Sequence, residues 1–223
     1  MDLETIFKEY KNHKLRLVQH IKSGKEADVY CVLDQETEQI LALKVYRPNT
    51  HTSFHRFTPY LQGANIKSYY AKAIARKNKV GREYLEKFRT RQEFKLLQKF
   101  YKEQAFIPEP LSYSQNSILM QYIGLETPAL RLIEVELDLD SDLAKSLFEN
   151  IVKTMQIFID NFIIHGDLSP FNILVFNDLP YVIDFPQSMD MRENPAWKEF
   201  LERDIKNMEN YFKRKITLKI PEI

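Results

Sequence analysis

The stretch from Ser141 to Phe185 leaves a folding chain few choices. Leu147, Ile151, Met155, Phe158 and Phe162 recur at spacings of three and four, the period of one apolar helix face. HGDLSPFNIL follows from His165 to Leu174, with an acid and an amide five residues apart. Two short apolar runs come next, Asn172 to Phe176 and Tyr181 to Phe185, separated by the turn residues Asn177-Asp178-Leu179-Pro180. A helix, a polar loop and a hairpin in this order draw Asp167, Asn172 and Asp184 into one neighbourhood.

The preceding half reads as strands. Leu15, Leu17 and Gln19 alternate with Arg16, Val18 and His20, Asp28 to Leu33 forms a second run, and Ile40 to Tyr46 a third, ended by Pro48. From Asn49 to about Lys79 periodicity is weak, which predicts a long inserted segment. Arg82 to Lys102 is helical, with Phe94, Leu97 and Tyr101 on one side and Leu96 and Phe100 beside them. Phe106 to Leu111, with its two prolines, predicts a rigid connector; Ser117 to Ile123 predicts another strand, and Pro195 to Arg214 a last helix. A β-rich front and a helix-led back predict an α+β chain of two lobes with a cleft between them, 1–120 with an insertion at about 49–80, then 121–223.

Composition narrows the setting. At 223 residues and 44% hydrophobic, with fifteen Phe and twelve Tyr, the chain has ample core material. One cysteine, Cys31, excludes an internal disulfide and a Cys-based metal site. The first residues lack the order of a signal peptide, and the best apolar run, Met155 to Ile164, is interrupted by Asp160 and Asn161, so a soluble cytoplasmic protein with no membrane partner is expected. Net charge is +1, but Thr50 to Gln92 holds ten Lys and Arg against two Glu, while Glu134 to Glu149 holds six Asp and Glu against one Lys. Such a basic block suits a phosphate-rich partner such as RNA, or a solvated helix face.

The chemistry-bearing residues form an ordered set. Phosphoryl transfer from ATP asks for a cation on the phosphates, oxygen ligands for Mg²⁺ and a base beside the acceptor hydroxyl. Lys44 lies on an apolar strand where a lone ammonium is costly, and Glu93 lies on the apolar stripe of its helix three, four and seven residues before Leu96, Leu97 and Phe100. Each needs a partner, and each suits the other. Glu83 and Glu86 are the alternatives, among Arg82, Lys87 and Arg89. Asp167, Asn172 and Asp184 complete the set.

HisGlyAspLeuSerProPheAsn resembles the catalytic loop of protein kinases, AspPhePro stands where they carry Asp-Phe-Gly, and AlaLeuLys where they carry the strand lysine. More narrowly, SerGlyLysGluAlaAspValTyr (Ser23 to Tyr30), AlaLeuLysValTyrArg, IleProGluProLeu, LeuMetGlnTyrIleGly and AspPheProGlnSer resemble the RIO-type atypical serine/threonine protein kinases, from about Lys14 to Phe212. The resemblance implies a kinase-like fold with a β-rich first lobe, a reduced helical second lobe and an ATP cleft between. It implies that Lys44 holds the α and β phosphates, positioned by Glu93, and that Asp167 is the catalytic aspartate. Asn172 and Asp184 would ligate Mg²⁺, with Mn²⁺ as an alternative. Ser23, Gly24 and Lys25 would cover the phosphates, Met120 would border the adenine, and the backbone of Gln121 and Ile123 would bond it. Ribosome maturation is the setting it implies, with a ribosomal particle as partner of the basic block at 50–92.

The departures are specific. Only Gly24 lies in the nucleotide loop, Ser169 replaces the lysine common in kinase catalytic loops, and 39 residues follow Asp184, without an AlaProGlu segment. The few residues before the first strand point to the branch lacking an N-terminal winged-helix module. Two other functions share part of the pattern: a small-molecule phosphotransferase of the aminoglycoside or choline type, and a nucleotide-dependent RNA- or ribosome-binding module. His51 and His55 lack a third ligand and are not read as a metal site. His165 is expected to support the loop through a hydrogen bond, the tyrosines 69, 70 and 84 to serve packing, and Trp197 to anchor the last helix.

Overall fold

The computed structural model describes residues 2–24, 26–47, 72, 74–76, 79–185 and 187–222, with backbone alone at 79, 82 and 86. Lys25, His51, His55, Tyr69, Tyr70 and nearly all of the segment at 49–80 lie outside the described residues. The chain divides into two compact units, one of residues 1–96 and 109–122, the other of 97–108 and 123–223.

The first unit is a five-stranded antiparallel sheet of order β1-β2-β3-β5-β4. Its strands are β1 (Leu15–Ser23), β2 (Ala27–Asp34), β3 (Gln39–Tyr46), β4 (Pro110–Tyr113) and β5 (Ser117–Gln121). On β3, Leu41 and Leu43 point into a core of Ile6, Tyr10, Leu15, Val32 and Leu119, while Lys44 and Tyr46 take alternate positions. Helix α1 (Leu3–Glu9) closes that core and is absent from the sequence reading. Seven residues are too few to hold a helix unaided. Asp2 caps it by accepting from Thr5 N at 2.8 Å, and Tyr10 ties it to β5 through its hydroxyl and Ser117 Oγ at 2.8 Å. Burial pushes the Tyr10 hydroxyl up to about 12.

The structure modifies two sequence expectations here, for identifiable reasons. β1 shifts register against β2 between Leu17 and Gln19 and again between His20 and Lys22, so strict alternation breaks and Leu17 is 40% exposed. The proline-rich connector continues into β4, an edge strand whose first residue is Pro110, where the missing N–H costs least.

Helix α2 (Lys79–Lys102) begins three residues before the expected Arg82, and the division between units falls after Leu96. Its buried stripe runs through Leu85, Glu93, Phe94, Leu97 and Phe100; Tyr101, expected on the apolar side, is exposed.

The second unit is built on α3 (Asp142–Asp160), which Ser141 caps by accepting from Ala144 N at 3.1 Å. Its buried face holds Leu147, Ile151, Met155, Phe158 and Ile159. Phe162 lies beyond the helix end at φ 59, with Arg192 over its ring at 4.7 Å. β6 (Leu130–Arg131), β8 (Ile173–Phe176) and β9 (Leu179–Val182) form one antiparallel sheet, and β7 (Ile163–Ile164) pairs with β10 (Met189–Asp190). The β8–β9 turn is Asn177-Asp178, at φ 49 and 61, so Pro180 falls inside edge strand β9 instead of the turn. Helix α4 (Trp197–Phe212) buries Leu201, Asp204, Met208 and Phe212, and Trp197 packs on the cluster of Ile159, Ile164, Met191 and Leu201. The result is a mixed α+β chain. Among the described residues no helix is long and apolar enough to cross a membrane.

Candidate active site

In the first unit, Lys44 Nζ lies 3.1 Å from Glu93 Oε1, with the side chains 11% and 7% exposed. The two charges that looked isolated on apolar elements compensate each other. Glu83 is exposed. The Tyr46 ring is buried, with Lys44 Nζ 5.2 Å and Arg89 Cζ 4.8 Å from its centroid. Burial, then the nearby Glu93 charge, holds the Tyr46 hydroxyl well above its ordinary range. Arg89 also donates to Glu26 Oε2 at 2.6 Å, tying α2 to the loop between β1 and β2.

That loop is tight. Gly24 N donates to Ala27 O at 2.9 Å, and a Cβ on Gly24 would meet the same oxygen at 3.0 Å. Its outgoing side is held by Arg47, which donates to Glu26 O through the backbone and to both Asp28 oxygens through its guanidinium. The Asp28 carboxyl is held below its usual value, mainly by those Arg47 bonds. Ser23 Oγ lies 3.2 Å from His20 Nε2; Lys25 is not among the described residues. Met120 and Gln121 end β5, where Gln121 N donates to Glu109 O at 2.8 Å. Ile123 O accepts from Ala129 N at 2.9 Å.

In the second unit, the loop of His165–Leu174 is gripped from behind by α4. Asp204 accepts from Gly166 N and Leu168 N, both at 2.8 Å; Asn207 donates to Leu168 O at 2.9 Å, and Arg203 donates to Gly166 O. Burial pushes the Asp204 carboxyl up to about 6, against the lowering effect of its two backbone donors. Gly166 adopts φ +79, and a Cβ there would come 2.5 Å from Gln187 O, so this position requires glycine.

Asp167 projects from the clamped turn. Asn172 Nδ2 donates to its backbone oxygen at 2.8 Å and to its Oδ2 at 3.3 Å. Pro170–Asn172 forms a short 3-10 turn, which Asn172 N closes onto Ser169 O at 2.9 Å. Ile183 N donates to Asn172 O at 2.9 Å, laying the segment that carries Asp184 beside the loop. His165 Nε2 meets Ile183 O at 3.1 Å from the other side, the supporting role expected of it. Asp184 lies two residues beyond β9, exposed, at φ 71, a conformation aspartate tolerates better than most residues. Phe185 turns inward against Phe100, Phe158 and His165 at centroid distances of 6.1, 5.6 and 4.9 Å.

The sequence reading missed Asp204, Arg203 and Asn207. The signal was present: Asp204 interrupts the stripe Leu201, Met208, Phe212 as Glu93 interrupts its own. The donor set suits a hard divalent cation, because Asn172 spends its NH₂ on Asp167 and so presents its amide oxygen, and Asp184 adds a carboxylate. Among the described residues no three His, Cys, Asp or Glu gather as a metal site.

Residues 28–222 match the family model described as the RIO domain. The chain is 29% identical to the RIO-type serine/threonine-protein kinase Rio1 of Thermoplasma acidophilum, over 79% of this chain and 87% of that protein. It is 28% identical to the Rio1 enzyme of Haloferax volcanii, over 87% of this chain and 62% of that one. It is 30% identical to the Rio2 enzyme of Methanocaldococcus jannaschii, over 86% and 65%. It thus spans most of the first relative and slightly under two thirds of the other two. Relatives named Rio1 and Rio2 match at similar identity, so identity does not separate the branches. With the domain match covering nearly the whole sequence, the chain belongs to the RIO family of kinase-type enzymes.

Proposed function

We propose that this chain transfers the γ-phosphoryl group of ATP to a serine or threonine hydroxyl of a protein, itself included, with Mg²⁺ or Mn²⁺ as the metal. The observation that carries the reading is the clasp of Asn172 on both the carbonyl and the carboxylate of Asp167. It holds one acid in a fixed orientation on a loop with rigid backing. Asp167 takes the proton of the acceptor hydroxyl as that oxygen bonds to the γ-phosphorus. The bond from phosphorus to the bridging oxygen breaks, and ADP leaves.

Lys44, oriented by Glu93, serves the α and β phosphates as a compact cation. Ser23, Gly24 and Lys25 cover the phosphates, Met120 borders the adenine, and Gln121 C=O and Ile123 N–H meet its edge. The Asn172 amide oxygen and the Asp184 carboxylate would hold the divalent cation, whose contribution when bound is to neutralise charge on the phosphate oxygens. With water as acceptor, the same groups hydrolyse ATP and let bound nucleotide switch the chain's conformation. The basic block from Thr50 to Gln92 supports a phosphate-rich partner for such a switch, RNA or a ribosomal particle in ribosome maturation. A cytoplasmic setting suits a single, buried, unpaired cysteine.

Incubation with γ-labelled ATP and Mg²⁺, with and without ribosomal particles, tests the reading once label is resolved into protein, small molecules and free phosphate. Labelled protein, lost in Asp167→Asn, supports it. Label confined to a small hydroxylated acceptor would overturn it.

A further inference from the structure

Beside the Asp167 loop, large apolar side chains face solvent on a rigid backbone. Phe171 is 55% exposed, Leu130 56% and Ile133 41%. They come from segments in mutual contact: β6 and the 3-10 turn Leu132–Glu134 both pack on the 3-10 turn Pro170–Asn172. The backbone is fixed from several directions. β6 pairs with β8 at Leu130–Val175 and Arg131–Leu174, Leu132 is fully buried, and Tyr211 donates to Leu132 O at 2.7 Å. Glu134 Oε2 accepts from Arg131 N at 2.9 Å. Apolar side chains held outward on a braced turn mark a recognition surface more than a packing defect.

The segment that carries Leu130 and Ile133 is acidic, whereas α4, which also packs on the Pro170–Asn172 turn, carries the exposed cations Arg203 and Lys206. Glu126, Glu134, Glu136, Asp138, Asp140 and Asp142 are all exposed, and between Glu126 and Asp142 the one base is Arg131. Two cations beside the acidic segment are already engaged, Lys145 with Asp142 at 3.1 Å and Arg214 with Leu139 O at 2.9 Å. Lys213 is the exposed cation at the Asp140 end. An acidic segment repels nucleic-acid phosphates and acidic peptides, and attracts Lys- and Arg-rich chains.

We propose that this face docks the acceptor, and that the acceptor is a basic protein segment with an apolar anchor seated on Phe171, Leu130 and Ile133. The proposal rests on the phosphotransferase reading and adds the class of its substrate. Phe171 follows Asp167 by four residues across one 3-10 turn. At about 3.3 Å per extended residue, an anchor there lies roughly two to four residues from the reacting hydroxyl.

The test uses synthetic serine peptides: one Lys/Arg-rich with a Leu anchor three residues from the serine, one with that Leu changed to Ser, and one with Glu for every base. Binding of fluorescein-labelled peptide is measured alongside transfer from ATP and peptide-free ATP hydrolysis. The expected result is a kcat/KM for the anchored basic peptide about tenfold or more above the others. Leu130→Ser/Ile133→Ser should lower it about tenfold through KM, with ATP hydrolysis unchanged. Glu126→Lys/Glu136→Lys should shift preference toward the acidic peptide. Equal kcat/KM for all three peptides, indifference to both variants, or displacement of the peptide by an RNA oligonucleotide at equal concentration overturns the docking proposal. Selective binding without any transfer instead overturns the phosphotransferase reading and leaves the docking surface standing.

Discussion

The carboxylate of Asp204 accepts the backbone N–H of Leu168 at 2.8 Å, and with its other oxygen that of Gly166. It therefore brackets Asp167 from within the protein, touching the residue on each side. Asp204→Ala leaves two buried N–H groups without acceptors, each costing ~1–3 kcal/mol. A clear fall in the urea midpoint is expected, with a loss of turnover larger than any loss of nucleotide affinity.

Asp204 also sets a pH dependence. Its folded-state pKa is raised to about 6 from 3.8, so between those values the folded protein binds more protons than the unfolded one. The contribution of this group to stability is therefore fully present below about pH 4 and lost as pH rises toward 6. Function runs the other way, because a protonated carboxyl has one oxygen fewer to accept an N–H. Turnover should fall on acidification through pH 6. An Asp204→Asn variant should be slower but flat over that window when kcat is followed from pH 5 to 7.5.

The buried pair of Lys44 and Glu93 predicts a nucleotide defect. Glu93→Gln keeps the shape and removes the charge, and hydrogen bonds to charged groups are worth ~1.5–3 kcal/mol, about 10- to 100-fold in kcat/KM. The loss should appear in kcat/KM for ATP. Unchanged kinetics would show that the ion pair does not position Lys44 for the nucleotide.

Gly166→Ala should be among the most damaging small substitutions. The added methyl meets the Gln187 carbonyl at 2.5 Å, and the backbone lies at φ +79. Strain of this kind costs of order 1–3 kcal/mol. A fall in melting temperature should accompany lost transfer, whereas Gly24→Ala, at 3.0 Å from Ala27 O and without positive φ, should be milder.

Much of the arrangement was legible because charges on apolar stripes demand partners. Lys44 on β3 and Glu93 on α2 point to each other in the sequence, and the order of helix, polar loop and hairpin draws Asp167, Asn172 and Asp184 together. The same rule applied to Asp204 would have found the clamp, but its partners are backbone N–H groups, which no residue type announces. Helix α1 escaped because its stability is non-local, resting on Ile6 and Tyr10 in the sheet's core. The alternation in β1 misled because two register shifts rotate its faces, and β4 was hidden by a proline at its first residue. Of the basic block at 50–92, the part from Lys79 onward is helix α2, where Arg89 is engaged by Glu26 and the Tyr46 ring, while nearly all of the segment at 49–80 lies outside the described residues.

The account stands or falls on Asp167 as the group that serves the acceptor hydroxyl. Single-turnover transfer of labelled phosphate, measured with Mg²⁺-ATP affinity in the same Asp167→Asn preparation, tests this directly. The account predicts that transfer drops by about 10²- to 10⁴-fold while affinity stays within about twofold. Transfer at the wild-type rate, with the nucleotide bound equally well, would contradict it.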